Sequence, residues 1–394
     1  MSLPVRPGGV VGIVGGGQLG RMMALEARRL GLRVAVLDPD AASPAGAVAD
    51  FRVVGKLEDP AALRALGEAS DVVTFETEHV AAPALQQAEA FAPVRPSPDG
   101  LARLQDRLSQ RRFLQELGLA QTAYAPVDDE ASLERAVEAI GVPSVLKCRR
   151  GGYDGLGQAR LGPGTVPRAA WRSLADAPAV LEAFVPFERE LSIVLARDAD
   201  GRIREYPVAE NVHRRGILHT TRVPATIDAA IDANARAIGR RIAAALGHVG
   251  VLTVELFALT DGALLVNEIA PRVHNSGHFT WGGCVTSQFE QHLRAICGLP
   301  LGDPALLGPV VMLNLLGDLW RHGEPDWVAA LADDRVRLCL YGKRDARAGR
   351  KMGHLLIFDD DPTLARAERL HEQLGAPAPE ALRRESDVRE PVAC

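Results

Sequence analysis

The stretch VVGIVGGGQLGRMMALEARRLGLRVAVLD, residues 10–38, decides the fold class of the first part of the chain. It opens with a short apolar run at Val10–Val14, which leads into a glycine-rich turn. An amphipathic segment follows at Arg21–Leu30, and a second apolar run lies at Arg33–Leu37. This order of strand, turn, helix and strand predicts a βαβ unit, and it indicates a small doubly wound α/β domain over residues 1–105.

The glycine-rich turn has the spacing Gly15-x-Gly17-x-x-Gly20, and Asp38 follows at the end of the second apolar run. This arrangement is typical of dinucleotide-binding domains. Glycines let the backbone approach an anion, and the helix N-terminus offers unpaired N–H groups. Other α/β domains use the same turn for a lone phosphate or for no ligand, and Asp38 before Pro39 is equally well explained as a turn former. The motif alone therefore leaves a nicotinamide cofactor open.

Composition argues against several other classes of protein. A chain of 394 residues is long enough for two or three domains. The 45 Lys and Arg against 50 Asp and Glu give a net charge of −5, which is unlike proteins that coat nucleic acid or an anionic membrane. No apolar run reaches the roughly 20 residues of a membrane span. The five cysteines are widely spaced and form neither a metal pattern nor a disulfide framework, so we expect a reducing, cytoplasmic location.

The rest of the chain predicts mixed α and β structure. A helix is expected at Asp106–Gly118, and the short strands that follow favour antiparallel sheets over a second parallel one. Beyond about residue 359 the sequence is charged and patternless, which predicts a helix and a loose tail. We expect three domains, at 1–105, 106–185 and 186–394, with a fold class of α/β and α+β.

The sharpest signal is a pair of glutamates in TVELFALTDGALLVNEI, residues 253–269. A two-residue type I′ turn at Asp261-Gly262 would place Glu255 opposite Glu268. Their Cβ atoms would then lie roughly 5 Å apart on one face of the hairpin. Like charges in this position are destabilising unless a cation neutralises them, and Mg²⁺ is commonly bound by carboxylates together with phosphate oxygens. The alternative is two solvated glutamates on a wet sheet face.

A glycine-dense loop, Gly151–Gly157, follows Lys147 at the end of a predicted strand. A mobile glycine-rich loop with a cation at its base can cover phosphates and exclude water, although a flexible hairpin tip without a ligand is the alternative. Glu182 ends one predicted strand and Glu190 begins the next. The segment between them is suited to contact a base with its backbone and a ribose with a carboxylate, but either glutamate alone is more often a surface residue.

Two further clusters suit anions. Arg272, His274 and Asn275 lie in one short loop directly after the paired glutamates, and together they can hold a small oxyanion. A basic run interrupted by glycines, at 341–351, suits a phosphate group in a chain whose net charge is negative. A histidine-rich turn and a solvated basic loop are the respective alternatives.

In their order along the chain, these motifs resemble the N5-carboxyaminoimidazole ribonucleotide synthases, a family of ATP-grasp enzymes of purine biosynthesis. The resemblance extends to about residue 357 and is most specific in Val266–His278 and Gly349–His354. It implies a three-domain ATP-grasp fold with a Rossmann-like N-terminal domain, whose glycine turn then serves the substrate rather than NAD. It implies an ATP-dependent carbon–nitrogen ligase that joins bicarbonate to 5-aminoimidazole ribonucleotide through carboxyphosphate, and it implies a homodimer.

The resemblance also implies roles for individual residues. The residues that the resemblance implies for ATP binding are Arg107, Lys147, the flap residues Gly152, Tyr153, Asp154, Gly155, Leu156, Gly157 and Gln158, the segment Glu182, Ala183, Phe184 and Val185, and Glu190, His213, Asn267 and Glu268. For Mg²⁺, with Mn²⁺ as a substitute, it implies Glu255 and Glu268. For catalysis it implies Asp154, Arg272, His274 and Asn275, and for the ribonucleotide Gln18, Glu76, Tyr153, Lys343, Arg350 and Lys351.

Two positions depart from the pattern of this family. Leu156 stands where the family usually has Arg or Lys, so one cation of the flap is missing. His79 takes the place of an asparagine shortly after Phe75-Glu76. Two other functions stay open. The glycine turn favours a nicotinamide oxidoreductase, which leaves the paired glutamates unexplained, and Leu156 alone favours a non-catalytic nucleotide-binding protein.

Overall fold

The computed structural model describes residues 5–152, 155–359 and 364–376, and these residues form three β-sheets flanked by helices. The expected tail after the last helix lies outside the described residues. Among the helices that are described, none combines the length and apolar character that a bilayer crossing requires.

The first sheet is parallel, with the strand order β3-β2-β1-β4. Its elements are β1 (Val10–Val14), α1 (Gln18–Arg29), β2 (Arg33–Asp38), β3 (Phe51–Val54), α2 (Pro60–Glu68), β4 (Val72–Phe75), α3 (Ala82–Glu89) and α4 (Pro98–Leu104). The βαβ prediction for residues 10–38 is therefore confirmed. Strands β1 and β2 are nearly continuous apolar runs because helices cover both faces of a parallel sheet.

The middle sheet is antiparallel, with the order β5-β8-β6-β7. A connecting helix, α5 (Arg107–Glu116), precedes it and is capped by the Asp106 side chain. The further elements are β5 (Tyr124–Val127), α6 (Glu130–Ile140), β6 (Ser144–Cys148), β7 (Gln158–Leu161), α7 (Pro167–Arg172) and β8 (Ala179–Ala183). The glycine-dense loop joins β6 to β7, so it projects from one end of this sheet.

The third sheet is antiparallel and runs in the order β14-β13-β9-β11-β12-β15-β17-β16, with β10 paired to β9. Its elements are β9 (Arg189–Arg197), β10 (Ile203–Glu205), β11 (Ala209–Arg214), β12 (Ile217–Val223), α8 (Ala229–Ala245), β13 (Gly250–Ala258), β14 (Leu264–Ala270), α9 (Thr280–Gly283), α10 (Gln288–Ile296), β15 (Val310–Leu316), α11 (Trp327–Leu331), β16 (Val336–Leu340), β17 (Lys351–Phe358) and α12 (Leu364–Gly375). The expectation of antiparallel sheets is confirmed. Strands β10 and β11 are separate, because Pro207 between them cannot donate a hydrogen bond to a ladder.

His292 on α10 joins the first sheet to the third. Its Nδ1 accepts a hydrogen bond from the N–H of Val251 at 3.0 Å, so its Nε2 carries the proton and lies 2.8 Å from Oγ1 of Thr74. Burial lowers the pKa of His292 to about 3, and it also lowers the pKa of His248 to about 4 and that of His354 to about 3. All three imidazoles are therefore neutral at pH 7.

We expect thermal stability to fall as the pH drops from 6.5 toward 4. Folding lowers the pKa of these histidines from 6.5, so the unfolded chain binds protons that the folded chain excludes. Their stabilising contribution is present above pH 6.5 and is lost as the pH falls toward the folded-state pKa. Each histidine contributes up to about 1.4 kcal/mol per pH unit in this window. Melting temperatures at pH 7 and pH 5 measure the effect.

The contribution of His292 can be isolated by substitution. His292→Gln is expected to lower the melting temperature at pH 7 and to reduce its dependence on pH. His322→Gln, at an exposed position, serves as the control and is expected to change neither. A melting temperature of the unsubstituted chain that is the same at pH 7 and pH 5 would contradict this prediction.

Candidate active site

The hairpin of β13 and β14 carries the paired glutamates, and Glu255 lies opposite Glu268 in its ladder. The expected two-residue turn is wrong, because the loop holds three residues, 260–262. The N–H of Gly262 donates to the carbonyl of Leu259 at 2.9 Å. Gly262 has a φ of +82°, the left-handed conformation that such a loop needs at its last position.

A β-bulge at Asn267 compensates for the extra loop residue. Near the loop, Leu256 pairs with Val266, whereas beyond the bulge Glu255 pairs with Glu268. Asn267 is therefore the additional residue on β14. The longer loop shifts the ladder by one residue and the bulge shifts it back, so the two glutamates face each other although the turn differs from the expected one.

The two carboxylates have the electrostatics of a cation site. Burial and the neighbouring charge of Glu268 raise the pKa of Glu255 to about 7. Arg107 donates to Oε2 of Glu268 at 2.9 Å. The Oδ1 atom of Asn267 is buried beside them and has no hydrogen-bond partner among the described residues. Two carboxylates and a free amide oxygen fit Mg²⁺, which takes oxygen ligands and completes its shell with water or phosphate.

The side chains present here do not make a closed metal site by themselves. The described part of the chain has no group of three or more His, Cys, Asp or Glu arranged to hold a metal ion. A cation at this hairpin would therefore depend on ligands from outside the protein, as Mg²⁺ bound together with nucleotide phosphates does.

Glu182 on β8 is buried and forms ion pairs with several cationic side chains. Its Oε2 lies 2.7 Å from Nζ of Lys147, and its Oε1 lies 2.8 Å from Arg111 and 3.7 Å from Arg107. Burial opposes ionisation, but the charges of Lys147, Arg111 and Arg107 outweigh it and hold the pKa of Glu182 well below its usual range. Sequence reasoning missed Arg111, although its position four residues after Arg107 on a helix is a signal that both share one face.

The paired glutamates and Glu182 line a cavity, and described residues of the glycine-rich flap line one side of it. Gln158 pairs with Lys147 across the β6–β7 hairpin. Leu156 is 60% exposed and lies on the cavity wall with Gly152, Gly155 and Gly157. The predicted flap residues Tyr153 and Asp154 lie outside the described residues.

An apolar strip follows the flap along the cavity wall. The segment Ala183–Val185 contributes to it, and Phe187 stacks on Phe257 with ring centroids 4.6 Å apart. Further along, Nδ1 of His213 forms a short contact with Oε2 of Glu190. Although burial acts against it, the hydrogen bond to Glu190 raises the pKa of His213. The aromatic pair was not anticipated from the sequence.

The loop after the paired glutamates carries one cation, one imidazole and one free amide. Arg272 forms two contacts with Oε2 of Glu78, from Nε at 2.7 Å and from Nη2 at 2.6 Å. Nδ1 of His274 lies 2.9 Å from Oγ of Ser276, and burial followed by the charge of Arg272 lowers its pKa well below the usual value. Asn275 is 7% exposed, and among the described residues neither atom of its amide has a partner. This loop therefore presents unused hydrogen-bonding capacity to the cavity.

The basic run lies between β16 and β17 and reaches the same cavity. Lys343 donates to the carbonyl of Lys351 at 2.8 Å, and its ammonium lies 5.7 Å from the ring centroid of Tyr341. Arg350 donates to the carbonyl of Asp345 at 2.9 Å. The loop thus folds back on itself and holds its cations in place.

A single cavity of about 2000 Å³ brings these groups together. Every predicted site residue within the described ranges lines it, except Glu76. The two clusters that were expected to bind anions both open into this one space.

The carboxylates of Glu76 and Asp38 accept hydrogen bonds from the backbone of the glycine turn. The N–H groups of Gly17 and Gly20 donate to the two carboxylate oxygens of Glu76, and the N–H of Gly16 donates to Asp38 at 2.7 Å. Glu76 therefore lies against the turn and does not line the cavity, and Asp38 is engaged by the same turn. Because these amides are already paired with carboxylates, the turn does not offer them to a pyrophosphate, and the nicotinamide interpretation loses its main support.

We expect Gly17→Val to destabilise the first domain. A Cβ at this position would lie 2.6 Å from Oε1 of Glu76, well inside contact distance. The new side chain would push a half-buried carboxylate away from its two N–H donors, at a cost of roughly 1–3 kcal/mol. A lower melting temperature checks this, with Gly162→Val as a control because nothing lies within 4 Å of its Cβ position and its φ is not left-handed. Tight NADH binding by the unsubstituted chain, abolished by Gly17→Val, would contradict our account of the turn.

Three family profiles match successive parts of the chain. A ribonucleotide synthetase preATP-grasp domain matches residues 9–105, an ATP-grasp domain matches 112–289, and a phosphoribosylaminoimidazole carboxylase C-terminal domain matches 310–368. The fold is therefore an ATP-grasp fold with a parallel N-terminal domain and antiparallel central and C-terminal sheets.

Complete relatives are similar over nearly the whole chain. The N5-carboxyaminoimidazole ribonucleotide synthase of Brucella melitensis is 46% identical over 89% of this chain and 96% of its own length. That of Bacillus subtilis is 42% identical over 90% of this chain and 92% of its own length.

Solved structures agree with this match. The ADP complex of an N5-carboxyaminoimidazole ribonucleotide synthetase superposes with a TM-score of 0.89 at 42% identity, covering 95% of this chain and 100% of that one. The Aspergillus clavatus synthase, in complex with ADP and 5-aminoimidazole ribonucleotide, gives a TM-score of 0.84 at 33% identity and covers 93% of this chain and 98% of its own. The chain belongs to the N5-carboxyaminoimidazole ribonucleotide synthase family of ATP-grasp ligases.

Proposed function

We propose that the paired glutamates hold Mg²⁺ of the bound Mg-ATP, with Mn²⁺ as a substitute. The enzyme converts 5-aminoimidazole ribonucleotide, bicarbonate and ATP to N5-carboxyaminoimidazole ribonucleotide in purine biosynthesis. Glu255, Glu268 and Oδ1 of Asn267 would be the protein ligands of the metal. When bound, the cation neutralises phosphate charge as the γ-phosphoryl group is transferred.

ATP fits along the cavity wall between the middle and third sheets. We assign its phosphates to Lys147 and Arg107, which Glu182 orients toward the metal hairpin. The adenine would lie on the segment 183–185 beside the stacked ring of Phe187, and the ribose hydroxyls would contact Glu190. This assignment of ATP is supported by the groups that line one cavity, which are the apolar strip, the Glu190 carboxylate, the cations Lys147 and Arg107, and the paired glutamates.

Bicarbonate activation is the step that needs the loop at Arg272. An oxygen of bicarbonate attacks the γ-phosphorus, the bond to the bridging oxygen of ADP breaks, and carboxyphosphate forms. Arg272 and the free amide of Asn275 would bind the charged oxygens of this intermediate, since both side chains line the cavity. Nδ1 of His274 accepts from the N–H of Ser276, so in the neutral imidazole its Nε2 carries the proton and can donate to a bicarbonate oxygen. Cleavage of the C–O bond then gives CO₂ and phosphate.

The ribonucleotide captures this CO₂ in the adjoining part of the cavity. Its exocyclic amine attacks the carbon, and one proton leaves as the carbamate forms. We assign its 5′-phosphate to Lys343, Arg350 and Lys351 and its ribose side to Gln18. Asp154 and Tyr153 of the flap are proposed to close over the aminoimidazole. Closure would keep water away from carboxyphosphate, which otherwise decomposes unproductively.

Three broader proposals accompany this assignment. The division into domains at 1–105, 106–185 and 186–394 is supported by the three sheets. A cytoplasmic location is supported by the cysteines, since the four that the structure describes are free. A homodimer is expected from the family resemblance alone.

The single observation that carries the proposed chemistry is the pair Glu255 and Glu268 beside the unpartnered amide oxygen of Asn267.

We expect Arg350→Ala to raise KM for the ribonucleotide by about 10- to 100-fold and to leave KM for ATP nearly unchanged. A phosphate held equally in the ground and transition states contributes uniform binding, so its loss changes KM rather than kcat. The magnitude corresponds to a lost charged hydrogen bond of about 1.5–3 kcal/mol. Arg344→Ala, an exposed cation of the same loop that does not line the cavity, is the control. An equal rise in both KM values would contradict the assignment.

A further inference from the structure

Helix α5 directs three polar side chains at one strand. Arg107, Gln110 and Arg111 have the i, i+3, i+4 spacing that places them on the same face of a helix. All three reach β14. Arg107 contacts the carboxylate of Glu268, whereas the other two contact only the strand's backbone.

The backbone contacts of Gln110 and Arg111 lie on either side of Glu268, a proposed metal ligand. Gln110 accepts from the N–H of Ile269 and donates to its carbonyl, both at 3.2 Å. Arg111 donates to the carbonyls of Val266 and Asn267, both at 2.9 Å. Because β14 is the edge strand of the third sheet, these groups lack a neighbouring strand, and α5 supplies their partners. The bulge is thus held from outside the sheet.

Arg111 also contacts the opposite wall of the cavity. Its Nε lies 2.8 Å from Oε1 of Glu182 on β8, and the same carboxylate holds Lys147 at 2.7 Å. The Arg111 side chain is fully buried. One guanidinium therefore connects the strand that orients the phosphate-binding lysine to the bulge that presents Asn267 and Glu268.

We propose that Arg111 is a positioning residue, which fixes the metal ligands of β14 against the cations of the middle sheet. This inference rests on the proposed roles of Glu268 and Asn267 as metal ligands and of Lys147 as a phosphate ligand. The planar guanidinium can serve a carboxylate and two carbonyls at once, whereas an ammonium at this position cannot reach all three. Arg111 acts through these groups and does not itself contact the reacting atoms.

The test compares ADP binding with and without Mg²⁺ in Arg111→Lys. The lysine keeps a positive charge near Glu182 but loses the support of the bulge carbonyls. By calorimetry, we expect ADP affinity in EDTA to stay close to that of the unsubstituted enzyme. The additional affinity that Mg²⁺ confers is expected to fall by about tenfold, the equivalent of a lost charged hydrogen bond. Arg112→Lys, the exposed neighbour on the same helix, is the control and should keep the full gain.

Two results would overturn the inference. One is an undiminished gain from Mg²⁺ in Arg111→Lys. The other is an equal loss of ADP affinity with and without Mg²⁺. Such a loss indicates that the whole nucleotide site has become less ordered, not that the metal ligands have been displaced. If the unsubstituted enzyme itself gains nothing from Mg²⁺, the metal assignment fails and this inference fails with it. If Arg111→Lys does not fold, Gln110→Met is judged by the same criteria, because it removes the support on the other side of Glu268.

Discussion

Glu268→Gln and Glu255→Gln are each expected to lower kcat by about 10²- to 10³-fold while leaving the fold intact. The reason is that phosphoryl transfer depends on neutralising the charge that develops on the phosphate oxygens, and losing one preorganised electrostatic group commonly costs about 3–4 kcal/mol. Burial and the repulsion between the two facing carboxylates raise the pKa of Glu255 to about 7, and either substitution removes this repulsion. The variants are therefore expected to be at least as stable as the unsubstituted enzyme.

Steady-state ATP turnover at limiting and saturating Mg²⁺ measures this effect, together with melting temperature. Glu205→Gln provides a matched control on the same sheet, since that glutamate pairs with Arg240 and does not line the cavity. Near-normal turnover of both variants at limiting Mg²⁺ would remove the metal assignment.

Arg272→Ala is expected to reduce kcat by about 10²-fold with little change in KM for the ribonucleotide. Its charge is needed most as carboxyphosphate forms, so its loss raises the barrier to that step rather than weakening substrate binding. Glu78 holds the guanidinium through two contacts, so the side chain is positioned before substrates arrive. Arg272→Lys is expected to recover part of the rate, because it restores charge without the planar geometry.

Kinetic constants of Arg272→Ala and Lys351→Ala, compared side by side, decide between the two anion-binding clusters. If Arg272→Ala alters only KM for the ribonucleotide and Lys351→Ala abolishes kcat, our assignment of the two clusters is reversed. Such a reversal is a meaningful outcome because both clusters line one cavity.

The periodic parts of the fold were predictable from sequence, and irregular backbone was not. The alternation of apolar runs, glycines and amphipathic segments indicates the βαβ unit at 10–38 because the parallel sheet is buried on both faces. The hairpin at 253–269 was predictable only in part. A three-residue loop and a bulge at Asn267 each shift the ladder by one residue, and nothing in the local sequence distinguishes their combination from a regular hairpin.

The site was predictable as a set of residue types, whereas their partners depend on tertiary contacts. Lys147 and Glu182 were recognised separately, but their ion pair and the contribution of Arg111 require β6, β8 and α5 to meet. Glu76 shows the same limit. Its carboxylate lies against the glycine turn because β1 and β4 are parallel neighbours, which brings residue 76 beside Gly17.

We propose that ATP activates bicarbonate as carboxyphosphate. Isotope transfer from ¹⁸O-bicarbonate during a brief reaction with ATP and 5-aminoimidazole ribonucleotide tests it most directly. Attack of a bicarbonate oxygen on the γ-phosphorus leaves that oxygen in the released phosphate, so the account predicts phosphate that carries a single ¹⁸O for each carbamate formed. Phosphate without ¹⁸O, released at the normal rate together with ADP, would contradict it.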